Sequence, residues 1–388
     1  MKHIAPKLVA VLVSLLGSLS LPAASPGVSD TEVKVGMANA LSGNASALGT
    51  GMATGVRAFF DKLNKAGGVH GRQVTLISKD DGYEPDRCVA QTKELIETDK
   101  VFSLLGYVGT PTATAIMPIL SQNPDLVFLA PFTGAEFLRN PIKKNVFNVR
   151  ASYFDETEDL VEHLTSDLGI KEIGIFIQED AFGAAGEAGV QKALRKRSLT
   201  LAGKGTYKRN TTDVAGGLGA LKQTQPKAII MVGAYKPCAA FIKAAKAAGL
   251  KAIFCNISFV GTAALIQELG TDGNGVVVSQ VMPSPQDATV PMVKEYQAAM
   301  KAAGKEDFDY TSLEGYVAAM VYADALNRAG KELTRAGYLT ALESLKASLG
   351  GLEVEFSAAN HQALKQVYLT QIQDGKAVPI NDLKAVKP

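Results

Sequence analysis

The stretch GYVGTPTATAIMPIL, Gly106 to Leu120, and the stretch APFTGAEFLR, Ala130 to Arg139, decide how this chain is read. In each, an apolar run gives way to glycines and small hydroxyl residues where a strand passes into a turn or helix. Such junctions are where an α/β sheet presents backbone N–H groups and hydroxyls to a small ligand.

Working outward from these loops, the same alternation fills the first 150 residues. EVKVGMANAL reads as a strand, and GMATGVRAFFDKLNKAGG as a helix with Met52, Val56, Phe59, Phe60 and Leu63 on one face, closed by Gly67 and Gly68. Strand QVTLISKDD, helix DRCVAQTKELIETD, strand VFSLLG, helix PTATAIMPILSQ and strand LVFLAP follow. This is βαβαβαβ, the rhythm of a parallel, doubly wound sheet. The rhythm restarts near Val149 with helix DETEDLVEHLTSDLG and runs through strand EIGIFIQ to strand GVVVSQV. Two copies of one pattern in 388 residues imply two lobes, because one hydrophobic core rarely serves so long a chain. Beyond Pro283 come two strong helices, VPMVKEYQAAMKAAG and SLEGYVAAMVYADALNRAG. The final stretch, from LEVEF to GKAVP, reads as a hairpin turned at Asp374-Gly375.

Composition narrows the function. A formal charge of +2 carries no electrostatic footprint for nucleic acid. At the N-terminus, Lys2 and Lys7 precede an apolar run from Leu8 to Leu21 and the small-residue stretch PAASPG, the layout of a secretory signal peptide over residues 1–26. The mature chain is expected to begin between about Ala24 and Asp30, in the periplasm, and no lipobox cysteine follows the run. Three cysteines, Cys88, Cys238 and Cys255, fit no metal site; Cys238 follows the strand AIIMVG and Cys255 ends the next strand, AIFC, so a disulfide is open to them, with packing as small hydrophobes the expected state.

An enzyme needs a catalytic set, and none is visible in sequence order, which leaves as the alternative of another class a hydrolase whose site is assembled only in the cleft. His70, His163 and His361 are scattered, and G-x-S-x-G, H-E-x-x-H and a G-x-G-x-x-G after the first strand are all missing. No cofactor or metal is implied.

Five separated segments, in order, carry a resemblance: VGMANALSGNASALG, KAGGVHGRQVTLISKDDGYEP, GYVGTPTATA, APFTGAE and QEDAFG. Together they resemble the periplasmic solute-binding proteins of the leucine/isoleucine/valine type, the receptors of branched-chain amino-acid and related ABC importers. The resemblance implies two doubly wound parallel-sheet lobes joined by a three-crossing hinge, the type I periplasmic binding fold, closing as a monomer over a ligand. Lobe one would hold residues 30–148 and 283–354, and lobe two residues 149–282 and 355–388. Hinges would lie near Asn148 to Ala151, Val281 to Pro283 and Val354 to Ala358. The implied partner is an ABC permease, or alternatively a membrane histidine kinase or chemoreceptor.

The resemblance also assigns ligand contacts. Thr110, beside Gly109, and the loop Pro131, Phe132, Thr133 and Gly134 occupy the family's carboxylate-holding positions. Lobe two departs from the amino-acid pattern: Phe182 stands for a tyrosine, Ser258 and Phe259 stand where an acid holds the ligand ammonium, and Leu48 replaces a covering aromatic. A buried ammonium without a counter-charge is costly, so an apolar or aromatic acid is expected in preference to a plain amino acid. Phe182, Tyr235, Phe259 and Tyr153 form the expected apolar wall, with Glu179, Asp180 or Glu314 as alternative sources of negative charge. Arg150 could meet the ligand's anion or form a hinge salt bridge near Asp155.

Overall fold

A computed structural model describes residues 25–386 of the chain; the apolar N-terminal run therefore lies outside the described residues. The first sheet is built from β1 (Glu32–Asn39), β2 (Gln73–Asp80), β3 (Ser103–Leu105), β4 (Phe128–Leu129) and β5 (Val146–Phe147), all parallel, in the order β2-β1-β3-β4-β5. Helices α1 (Ser46–Lys65), α2 (Pro85–Glu97) and α3 (Thr110–Gln122) make the crossovers. β5 is an addition to the four strands expected: with two residues it is too short to show a period in sequence.

The second sheet repeats this plan. After α4 (Tyr153–Ser166) come β6 (Ile173–Gln178), α5 (Ala181–Lys196), β7 (Gly203–Tyr207), α6 (Ala215–Thr224), β8 (Ala228–Val232), α7 (Tyr235–Ala247), β9 (Ile253–Asn256), α8 (Thr262–Leu269) and β10 (Val277–Gln280). The parallel order β7-β6-β8-β9-β10 matches that of the first sheet strand for strand. β6 and β8 are buried along their whole length, as strands covered by helices on both faces must be.

The remaining chain serves both sheets. α9 (Pro291–Ala302), α10 (Tyr310–Ala329) and α11 (Arg335–Glu343) lead to a small hairpin of β11 (Lys346–Leu349) and β12 (Leu352–Glu355). Then β13 (Tyr368–Gln373) and β14 (Lys376–Ile380) add antiparallel strands beside β10. The second sheet is thus mixed at one edge, not wholly parallel. The turn at Asp374 and Gly375, with φ of 48° and 73°, is the left-handed pair that a two-residue hairpin favours. The expectation that LEVEF belongs to this same hairpin is corrected, because β12 pairs with β11 across Gly350-Gly351.

Two glycines fix the position of α10. A Cβ on Gly55 of α1 would overlap the carbonyl oxygen of Ser312, and one on Gly315 would overlap that of Met52. The helices meet backbone to backbone there, which places Glu314 where the two sheets face each other. All three cysteines are buried free thiols; burial pushes Cys255 up to about 12.

Candidate cleft between the two sheets

Both sheets reverse their strand order between the first and third strands, and ligands of such sheets bind at that switch point beyond the carboxyl ends. In this chain the loops at those ends meet. Tyr83, after β2, takes a hydrogen bond from Gln178 at the end of β6 (3.2 Å), and Arg209, after β7, bridges Glu84 (2.9 Å) and Asp180 (3.0 Å). Asn39, at the end of β1, holds the β3 loop by donating to the Gly106 carbonyl (3.2 Å) and accepting from the Val108 N–H (2.8 Å).

The two loops that opened the sequence reading come together. The hydroxyls of Thr110 and Thr133 are 2.6 Å apart and both are fully buried. Gly109, with φ of 119°, precedes α3 in a backbone form open to glycine. Pro131 and Phe132 lead into Gly134, whose carbonyl accepts from the Tyr153 N–H (2.7 Å) and which has no room for a Cβ against Tyr153. The Tyr153 hydroxyl lies beside both threonines, buried and without a hydrogen-bond partner. Arg139, buried, donates to the carbonyls of Thr133, Ala135 and Arg150. It thereby ties this loop to the segment that enters α4.

The aromatic wall is partly as expected. Phe182 and Phe259 lie 4.3 Å apart by ring centres, Tyr153 is 5.5 Å from Phe182, and Phe132 is 5.5 Å from Phe259. Tyr235 is not among them: its hydroxyl faces the Ala47 N–H (3.4 Å), and Leu48 and Gly261 lie beside it at the edge of the cleft. Tyr83 joins the wall instead, 6.0 Å from Phe259. An Asx turn from Asp81 and a positive φ of 62° turn it inward.

The electrostatics differ from expectation. Arg150 does not pair with Asp155, which instead accepts from the Ser152 N–H and hydroxyl in a capping box that starts α4. The guanidinium of Arg150 is buried, lies 4.7 Å over the Phe132 ring, and donates to the Ser258 hydroxyl. It is 3.5 Å from the Glu156 carboxylate and 3.6 Å from that of Glu314. Its Nε and Nη1 have no hydrogen-bond partner. Two acids thus lie beside Arg150, one of them, Glu314, among the three alternative sources of charge, the other, Glu156, not foreseen. Ser258 itself binds one, since its N–H (2.7 Å) and hydroxyl (3.0 Å) donate to Glu156, joined by the Ser279 hydroxyl (2.6 Å). Of the three alternative acids, Asp180 caps α5 and pairs with Arg209, Glu179 is exposed, and Glu314 alone faces inward. Burial raises Glu156 against the pull of Arg150, and holds Glu314 at about 7.

Between these groups lies a cavity of about 10 Å³, lined by Phe132, Ser258, Gln280, Val281, Met282, Tyr310, Thr311 and Glu314. That is room for roughly one water molecule, far below the few hundred Å³ of a small-molecule site. A small molecule would fit here only with the two sheets, or their aromatic side chains, further apart. Tyr310 also lines an outer groove of about 570 Å³, and Thr311 one of about 550 Å³. Among the described residues no group of three or more His, Cys, Asp or Glu side chains is placed to hold a metal.

Comparison with known proteins agrees with this architecture. The family model for periplasmic binding proteins matches residues 32–377. A Leu/Ile/Val-binding protein homolog 7 of Brucella melitensis is 22% identical over 95% of this chain and 96% of its own. The solved structure of a possible leucine/isoleucine/valine-binding protein from Rhodopirellula baltica is 36% identical, with a TM-score of 0.87 over 91% of this chain and 97% of its own. A substrate-binding periplasmic protein from Ralstonia solanacearum is 28% identical, with a TM-score of 0.84 over 90% of this chain and all of its own (100%). With one family matched along nearly its whole length, the chain belongs to the periplasmic binding proteins of the leucine/isoleucine/valine-binding type, with the type I fold of that family.

Proposed function

We propose that the protein is a periplasmic receptor that encloses a small carboxylate-bearing ligand, with an apolar or aromatic body, and delivers it to an ABC importer. The observation that carries this reading is Arg150. A buried guanidinium whose Nε and Nη1 have no hydrogen-bond partner is an unmet donor set, and a carboxylate accepts a charge-assisted bond from such an N–H. The Thr110 and Thr133 hydroxyls and the Tyr153 hydroxyl supply further donors on one side, and Phe132, Phe182 and Phe259 supply apolar surface on the other. Each charge-assisted bond contributes about 1.5–3 kcal/mol.

In this reading, residues 30–148 and 283–354 form lobe one, and residues 149–282 and 355–388 lobe two. Residues 148–151, 281–283 and a third segment beginning near 354 form the hinge. Backbone pairing of Asn148 and Val149 with residues 361–363 and 364 supports extending that third crossing to residue 364. The signal-like N-terminus directs export.

A second reading, an amino acid, is favoured by Glu314, whose carboxylate faces the cavity and could hold an ammonium. A sensory partner in place of the permease would use the same clamp, and in vivo uptake of the ligand by a strain lacking the receptor separates the two. Mass spectrometry of ligand released from the purified protein tests the ligand class, followed by calorimetry with 3-phenylpropanoate, 4-methylpentanoate, phenylalanine and leucine. The des-amino acids are expected to bind more tightly than the amino acids of equal size. Tighter binding of leucine or phenylalanine would refute the preferred class, and failure of all four, with no carboxylate in the released material, would refute the carboxylate reading.

A further inference from the structure

We propose that Glu314 is a specificity residue that carries a proton: an anionic ligand that takes Arg150 as its partner enters the cleft together with one proton, which settles on the Glu314 carboxylate. The inference rests on the carboxylate reading above and adds to it what charge the ligand must bring.

The argument starts from the charges facing Glu314. From the segment entering α4 comes Arg150, 3.6 Å away; from α4 itself comes Glu156; and behind Arg150 lies Arg139, whose guanidinium is committed to three backbone carbonyls. Glu156 is the acid best matched to Arg150. It accepts three hydrogen bonds, from Ser258 and Ser279, and lies 3.5 Å from the guanidinium. Glu314 has no such hydrogen-bond support: it is 5% exposed, lines the cavity, and lies 3.6 Å from Arg150, much as Glu156 does. It is the surplus negative charge of the cleft.

A ligand carboxylate that bonds to the free Nη1 of Arg150 puts a third carboxylate around one guanidinium. Burying an unmatched charge costs several kcal/mol, and the cheapest relief is to protonate the least supported acid. The bound state is then ligand carboxylate, Arg150 guanidinium, Glu156 carboxylate and neutral Glu314. The proton comes from solvent, no covalent bond of the ligand changes, and the new O–H can donate to the ligand anion. Burial, which already holds Glu314 at about 7, makes that proton available near neutrality. A zwitterionic ligand reverses the requirement, because its ammonium needs Glu314 ionised and no proton is taken up.

The test uses the mature protein and its Glu314→Gln variant, titrated calorimetrically with 3-phenylpropanoate and with phenylalanine between pH 5.5 and 8.5, in buffers of different ionisation enthalpy. For 3-phenylpropanoate and the wild type, affinity should be flat below about pH 6 and fall about tenfold per unit above about pH 7, with uptake approaching one proton. The variant, a neutral donor at all these pH values, should bind it with a flat profile near the wild type's low-pH affinity. A merely structural Glu314 would leave the profile of the wild type unchanged. Binding of 3-phenylpropanoate without proton uptake overturns the inference and leaves the carboxylate reading standing. Phenylalanine should bind the wild type without proton uptake and bind the variant more weakly, since its ammonium needs an ionised Glu314; equal binding of phenylalanine by both proteins overturns the inference too. If neither compound binds either protein at any pH, the carboxylate reading fails and this inference with it.

Discussion

Replacing Arg150 by methionine keeps much of the volume of the side chain and removes its charge, leaving Glu156 and Glu314 buried together. At 3.5 Å and 3.6 Å, each carboxylate gains about 5 kcal/mol of gross attraction from the guanidinium at an effective dielectric constant of about 20. The net loss is smaller, since Glu156 keeps its three hydrogen bonds and either acid can take a proton. The expected destabilisation at pH 8 is about 3–5 kcal/mol, the cost of breaking a buried pair by removing one partner. The pH dependence follows from linkage. In the variant both acids hold protons in the native state to well above 4.5, the pH near which the unfolded chain releases them. Stability is therefore greatest below about 4.5 and is lost as pH rises through the raised native values. Urea unfolding at pH 5 and pH 8 measures this, and the double variant Arg150→Met/Glu314→Gln should recover part of the loss at pH 8. A single variant within about 1 kcal/mol of the wild type at both pH values would refute the reasoning, because Arg150 would then not neutralise the cleft.

Three further outcomes are expected. Thr110→Val keeps shape but removes a hydroxyl from the 2.6 Å pair with Thr133; calorimetry with 3-phenylpropanoate should show a ten- to hundredfold loss, about 1.5–3 kcal/mol, and an unaffected variant would remove Thr110 from the anchor. Small-angle scattering should show contraction when ligand saturates the protein, and unchanged dimensions would argue for a rigid cleft. Intact-mass analysis of the exported protein should find the chain missing its residues through about Ala23 to Gly27, a product still starting at Met1 being the contrary result.

The fold was legible where elements are long and buried. β6 and β8 are continuous apolar runs, and α1 carries its apolar residues at helical spacing, so period and punctuation agree. What escaped was short or set by partners: β5 has two residues, α11 is a nine-residue helix, and β11 is recognisable only once β12 has been paired with it. The site divides in the same way. Thr110, Thr133 and Phe259 follow strands and could be read from that position. Tyr83 follows β2 but reads as an ordinary turn residue, and only its backbone conformation turns it inward. Glu156 hid among the acids of α4, where Asp155, Glu158, Asp159 and Glu162 suggest a solvated face. A signal was present all the same. Glu156 shares the buried stripe of Tyr153, Thr157, Leu160, Val161 and Leu164, and an acid in that register needs a cation, which Arg150 supplies.

The position of Arg150 gives these residues a common logic. Its backbone lies in the segment that passes from β5 into α4, and its carbonyl is gripped by Arg139, which also holds the Thr133 and Ala135 carbonyls. Its side chain meets Glu156 from α4, which packs on α5, and Glu314 from α10, which packs on α1. If the 148–151 segment is a hinge, rotation about it carries the guanidinium along and changes its distance to at least one of the two acids. Separating Arg150 from Glu314 leaves a buried acid that can reach water or a proton. Separating it from Glu156 breaks a pair already braced by two serines. The first is the cheaper break, so opening on the Glu314 side, where Tyr310 and Thr311 border the outer grooves, is the path that the charges of the cleft favour.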